Sequence, residues 1–170
     1  KGELLVRNDG VLFTTVGDPM MVDTALGLDH PPLSTGNVPL DEYPTKVARF
    51  GIGIAPLAPT RFNRAKSWLK PLEYAALGVP WVGSPLPDYL ALHHRGCGLI
   101  AEKPRQWEGL LRRLIRNPGL RAELSEQGRQ VASELTFERT AHRWVAAWKQ
   151  AASAAPRAPR THPRGAPASA

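Results

Sequence analysis

Cysteine is almost absent: Cys97 is the single one in 170 residues. No disulfide can close within the chain, and a reduced compartment is the expected setting. Long hydrophobic runs are also missing. No apolar stretch approaches the ~20 residues that a membrane-spanning helix needs, and the opening "KGELLVRNDG" carries charge throughout, unlike a secretion signal. A cytoplasmic protein is expected. No internal repeat is visible, and neither "ALGLDH" nor "TVGDP" contains the G-x-G-x-x-G spacing of a dinucleotide loop. Acidic residues are in short supply, with 15 Asp+Glu against 22 Lys+Arg and a formal charge of +7. That balance favours anionic partners (nucleotides, nucleic acid or a membrane surface) without choosing among them. Much of the excess lies in "RQWEGLLRRLIRN" and on Arg157, Arg160 and Arg164. Basic residues are not interleaved with aromatics in the manner of single-strand binders, so no specific nucleic acid partner is expected.

A hydrophobic content of 42% suffices for one globular domain with a core. "VLFTTVG" (11–17), "GIGIAPL" (51–57), "PWVGS" and "CGLIA" read as short buried strands. Between them stand helical patterns: "PMMVDTALGL", a helix over Tyr43–Arg49 with Asp41 as its cap, a helix from Ser67 to Leu77 stopped by Gly78, and "DYLALHHRG" stopped by Gly96. "STGNVPLDEYP" reads as loop. Beyond Lys103 the pattern turns purely helical. Pro104 falls in a first turn, Asn117 with Pro118 caps the next helix, and the last begins at Thr136. This last helix sets Phe137, Ala141, Trp144, Val145 and Trp148 on one stripe, most simply a core or docking face. Strands alternating with helices predict an α/β fold, a Rossmann-like parallel sheet with helices on both faces. The expected organisation is one domain over 1–153 and a disordered Pro/Ala/Arg-rich tail over 154–170.

In such sheets ligands bind at the carboxyl ends of the strands. The loop "APTRFNRAKS" leaves a strand end and enters the helix "WLKPLEYAAL". Its free amides at Ser67, Trp68 and Leu69, with the charges of Lys66 and Arg64, suit a phosphate. Glu73, deeper in the helix, would repel a phosphate but suits the vicinal hydroxyls of a sugar such as ribose. The competing reading is simpler: Lys70 and Glu73 are spaced i, i+3 and could form a plain solvated ion pair. The adjacent His93 and His94 point about 100° apart on a helix and make a poor metal pair. No metal and no cofactor is expected. Cys97 between two glycines reads as a small buried hydrophobe.

"KSWLKPLEYAALGVPWVGS" resembles the signature of group 1 glycosyltransferases, family 4, which have the GT-B fold. Lys70, Glu73, Ala76, Gly78, Pro80 and Val82 stand at the positions of its K-x-x-E-x-x-A-x-G-x-P-V-V pattern, with Trp81 replacing the first Val. "GNVPLDEYPTKVARFGIGIAPL" upstream and "HRGCGLIAEKPRQWEGLLRRLIRNPGLRAELSEQGRQVA" downstream are similar in kind, so the likeness runs from about Val11 to Trp148. The resemblance implies the C-terminal, donor-binding half of such an enzyme. Its substrate would be a nucleotide-diphosphate sugar and its reaction a retaining transfer to an acceptor (a glycan, a lipid-linked group or a small molecule). Glu73 would then hold the ribose hydroxyls, the backbone at Ser67–Leu69 the diphosphate or sugar, and the loop at Val38 and Pro39 would border the base. The implied partners are the donor, the acceptor and a peripheral contact with the inner membrane face. No catalytic side chain is assigned. The family's first glutamate, which contacts the donor hexose, falls at Ala65, where Asn63 is the nearest candidate in kind. The family's diphosphate-clamping Arg/Lys pair would lie at or before Lys1, and the acceptor domain is missing. An N-terminally truncated piece is therefore expected, and a non-catalytic nucleotide-sugar-binding or scaffold module is the alternative.

Overall fold

The computed structural model describes residues 11–20, 22 and 32–154. Lys1, the Arg-bearing tail and most of "PMMVDTALGL" lie outside the described residues. The chain divides after Leu135 into two units.

The first unit is α/β. Two parallel ladders form in it: β1 (Thr14–Thr15) pairs with β2 (Leu33–Ser34), and β3 (Gly53–Ala55), β4 (Trp81–Gly83) and β5 (Leu99–Ile100) make a three-stranded sheet in that order. Strand β2 departs from the loop expected there. It is held by Leu33 N–H to the Phe13 carbonyl and Thr35 N–H to the Thr15 carbonyl, both at 3.2 Å. Two residues paired with a distant strand leave no local alternation to read.

Helix α1 (Tyr43–Val47) begins without the expected Asp41 cap. The amides of Glu42 and Tyr43 instead both donate to the Pro39 carbonyl at 3.1 Å. Between β3 and the next long helix, a segment expected as loop contains α2 (Arg61–Arg64), whose cap Thr60 accepts from the Asn63 amide at 3.1 Å. Helix α3 (Leu69–Ala76) ends as predicted. Gly78 adopts φ 69°, its N–H reaches the Ala75 carbonyl, and Val79 N–H reaches that of Tyr74. This six-to-one closure requires a left-handed residue, which glycine supplies without strain. Helix α4 (Pro87–His94) closes the same way through Gly96. Each helix thus turns directly into the strand that follows it.

Strand β4 is buried on both faces and carries the core. Successive side chains of a strand point to opposite faces. Trp81 joins a cluster with Tyr74, Ala75, Leu92 and Val131, whereas Val82 packs with Ala101, Leu114 and Leu124. These partners come from α3, α4 and α6 (Pro118–Glu134) on one side, and from α5 (Gln106–Arg116), α6 and the residue that follows β5 on the other. Helices therefore cover both faces, as the alternation predicts. Trp81, bulkier than the valine of the resembling motif, fits because a Cβ on Gly98 would lie 2.2 Å from its ring. Similarly, Gly128 lets α6 meet α3 closely: its Cβ would sit 3.2 Å from the Ala75 Cα. Asn117 caps α6 as expected, accepting from Leu120 N–H at 2.9 Å. Pro104 precedes α5 by two residues instead of opening it.

The second unit contains α7 (Phe137–Ser153). Its aromatic stripe is exposed at Phe137, Trp144 and Trp148, with Trp144 and Trp148 ring centroids 6.4 Å apart. Within this unit none of its side chains is buried.

Candidate functional site

Where β3 ends, the chain runs Ile54, Ala55, Pro56, Leu57 along one wall of a cleft of about 660 Å³. The exit of β3 is pinned to that of β4 by the buried Ser84, whose hydroxyl accepts from Leu57 N–H at 2.8 Å. Lys66, Ser67, Leu69, Lys70 and Tyr74 form the facing wall, and Tyr89 of α4 completes it. The cleft therefore lies at a strand's carboxyl end, facing a helix start, as the strand-end rule predicts.

The first turn of α3 differs from expectation. The helix begins at Leu69 with Trp68 as N-cap, two residues later than Ser67. Pro71 stands third and has no N–H, so Leu69 and Lys70 are the first-turn donors. The amides of Ser67 and Trp68 also donate to no backbone carbonyl among the described residues. Of the residues read from the sequence, Lys66, Ser67, Leu69 and Lys70 share the cleft wall. Trp68 instead packs half-buried against the core. Arg64 is exposed on α2 and is not among the cleft's lining residues. The Asn63 side-chain amide donates through Nδ2 to the Ala58 carbonyl at 2.9 Å, so it is engaged in holding its own loop. Ala65 is the exposed residue that ends α2. The Lys66 ammonium sits 5.1 Å over the Phe62 ring.

Glu73 lies beside the cleft, joined to it through Lys70. Lys70 Nζ donates to Glu73 Oε2 at 2.6 Å and to the Tyr43 hydroxyl at 2.5 Å, and stands 4.8 Å over the Tyr43 ring. The Tyr43 hydroxyl in turn donates to Glu73 Oε2 at 3.3 Å. The simple ion-pair reading of Lys70 and Glu73 is thus physically realised, with a third member that sequence spacing did not show. Tyr43 lies 27 residues from Lys70, so no local pattern connects them. Pro39 reaches this group indirectly, since its carbonyl anchors the Tyr43 amide, whereas neither Val38 nor Pro39 is among the cleft's lining residues. Burial pulls the Lys70 ammonium down, but its hydrogen bonds to Glu73 and Tyr43 outweigh that and leave it above its usual 10.5. Tyr74 is pushed up to about 12, chiefly by burial, and donates to the Ile54 carbonyl at 3.2 Å. Burial also raises Tyr89, against the pull of the nearby Lys70 charge.

Among the described residues, no three His, Cys, Asp or Glu side chains converge as metal ligands. His93 Nδ1 bonds the Gly98 carbonyl at 2.7 Å, a link between α4 and the entry to β5. Cys97 is fully buried, as expected, and burial raises its thiol. No described helix is long and apolar enough to cross a membrane.

Among curated proteins none matches the chain. Solved structures do. WaaG, a glycosyltransferase involved in lipopolysaccharide biosynthesis, superposes with a TM-score of 0.59 at 18% identity over 79% of this chain and 37% of its own. HepE (Alr3699) of Anabaena, solved in complex with UDP, gives a TM-score of 0.59 at 17% identity over 83% of this chain and 41% of its own. The chain thus spans about two-fifths of these proteins' length, and the likeness is that of one GT-B half, with parallel strands flanked by helices. The model of the glycosyl transferase-like family matches residues 7–146. A match of that extent, over a cleft at the strand ends, makes this chain a member of the glycosyl transferase-like family, with a group 1 glycosyltransferase domain.

Proposed function

We propose that the chain forms the donor half of a glycosyltransferase that moves a sugar, with retention, from a nucleoside-diphosphate sugar to an acceptor hydroxyl. The observation that carries this is the cleft wall itself. Lys66, Lys70 and helix-start amides that have no backbone acceptor among the described residues stand on one side of a strand-end cleft, with the Glu73 carboxylate just beyond. Breaking the anomeric C–O bond leaves both electrons on the diphosphate. Positive charge and amide dipoles fixed beside it favour that developing charge. Glu73 then takes the ribose hydroxyls, and the α1 loop at Val38 and Pro39 borders the base. No resident metal or cofactor has a part in this reading. The acceptor, and any contact with a membrane surface, belong to the complete enzyme.

Calorimetry with UDP and GDP tests the proposal. Binding of one of them, weakened roughly tenfold by Glu73→Gln, is expected from the loss of one charge-assisted hydrogen bond at a partly exposed carboxylate. Equal affinity for both proteins removes the role given to Glu73, and no binding of either nucleotide removes the function. Ala65, where the resembling enzymes carry a glutamate, favours a second reading as a binding module without turnover. Nucleotide binding by the complete protein, with no sugar transfer or donor hydrolysis, would establish it.

A further inference from the structure

We infer that Tyr43 is a positioning residue that sets which oxygen of Glu73 meets the ligand, an inference resting on the donor-site reading above. Each carboxylate oxygen has two acceptor positions. Lys70 Nζ and the Tyr43 hydroxyl both donate to Oε2, at 2.6 and 3.3 Å. They fill it, while no hydrogen bond within the described residues reaches Oε1. Two ligand hydroxyls therefore fall together on Oε1, whose two acceptor positions match a vicinal diol.

Three elements fix this arrangement. Helix α3 carries Lys70 and Glu73 one turn apart. Helix α1 brings Tyr43 against them, its amide held by the Pro39 carbonyl. The Lys70 ammonium lies over the Tyr43 ring as well as against its hydroxyl. Tyr43 is not itself part of the cleft wall. It acts through Glu73, turning the carboxylate so that one oxygen is spent inside the protein and the other is kept for the ligand. Without the hydroxyl, Glu73 is held by Lys70 alone and can rotate about its last bond.

The test uses the whole chain, with UDP and GDP each compared with its 2′,3′-dideoxy counterpart. Tyr43→Phe keeps the ring and its contact with Lys70 and removes only the hydroxyl. It is expected to weaken the ribonucleotide about fivefold, as the loss of one hydrogen bond at a partly exposed acceptor does. The dideoxy ligand should bind within twofold of wild type, and Tyr43→Phe should have no further effect in a Glu73→Gln background. Equal weakening of both ligands, no weakening, or an undiminished effect beside Glu73→Gln overturns the inference. So does a wild-type chain that binds UDP and dideoxy-UDP alike, an outcome that leaves the nucleotide reading standing. If wild type binds no nucleoside diphosphate at all, that reading falls and the inference with it.

Discussion

Replacing Gly98 with alanine would drive a methyl group into the indole of Trp81. The added Cβ would lie 2.2 Å from Cε2, 2.4 Å from Cδ2 and 2.6 Å from Cζ2 of that ring, where carbon atoms normally rest about 3.5–4.0 Å apart. Trp81 would have to retreat by more than about 1 Å, on that same spacing. It has little room: the residue is fully buried, and the Tyr89 ring stands edge-on at 6.2 Å. Overpacking typically costs about 1–3 kcal/mol, and this crowding puts Gly98→Ala near the upper end. For a chain of this size that is a fall in Tm of about 10 °C. Trp81→Val, the residue of the resembling motif, makes the space that the added methyl needs. Alone it should cost about 2–3 kcal/mol through the cavity it leaves. That cost is softened because the buried indole N–H has no acceptor among the described residues. The two changes together should cost at least about 1 kcal/mol less than their sum. Urea denaturation of the four proteins at 25 °C, followed by far-UV circular dichroism, measures the cycle. A Gly98→Ala variant within about 0.5 kcal/mol of wild type, or strict additivity, would refute the reasoning.

Alkaline stability should depend on Tyr74. Its phenol stays neutral to about 12 in the folded chain against 10.0 ordinarily, through burial. A raised folded value gives stability that is complete below pH 10 and lost as pH rises towards 12, roughly 2–3 kcal/mol in all. Lys70, also raised, acts with the same sign above 10.5 but weakly, being half exposed. Tyr74→Phe should flatten the decline in urea midpoint between pH 9.5 and 12, and an unchanged slope would count against it. At Gly128, alanine should be nearly neutral, because its helix propensity offsets a tight but tolerable 3.2 Å approach to Ala75. Leucine should force α3 and α6 apart and cost more than about 2 kcal/mol. Similar urea midpoints for the two variants would show that the helices do not depend on this contact.

The stops at Gly78 and Gly96, the Asn117–Pro118 cap and the buried run around Val82 were legible because each depends on backbone conformation or periodicity within a few residues. The strand-end position of Lys66 and Lys70 followed from the same local order of strand, loop and helix. Strand β2 was not legible: two residues paired with a distant strand carry no period of their own. The Asp41 cap failed because a carbonyl at Pro39 took the amides first. Helix α2 occupies part of the stretch read as loop, α3 starts only at Leu69, and the Asn63 side-chain amide bonds its own loop. By itself the sequence thus determined an α/β chain with a basic helix start at a strand end and a carboxylate one turn further on. Only the tertiary structure decided that Tyr43 meets Lys70 and Glu73, that Gly98 makes room for Trp81, and that Tyr89 closes the cleft. Those contacts join residues far apart in the chain, and long-range packing leaves no mark on local spacing.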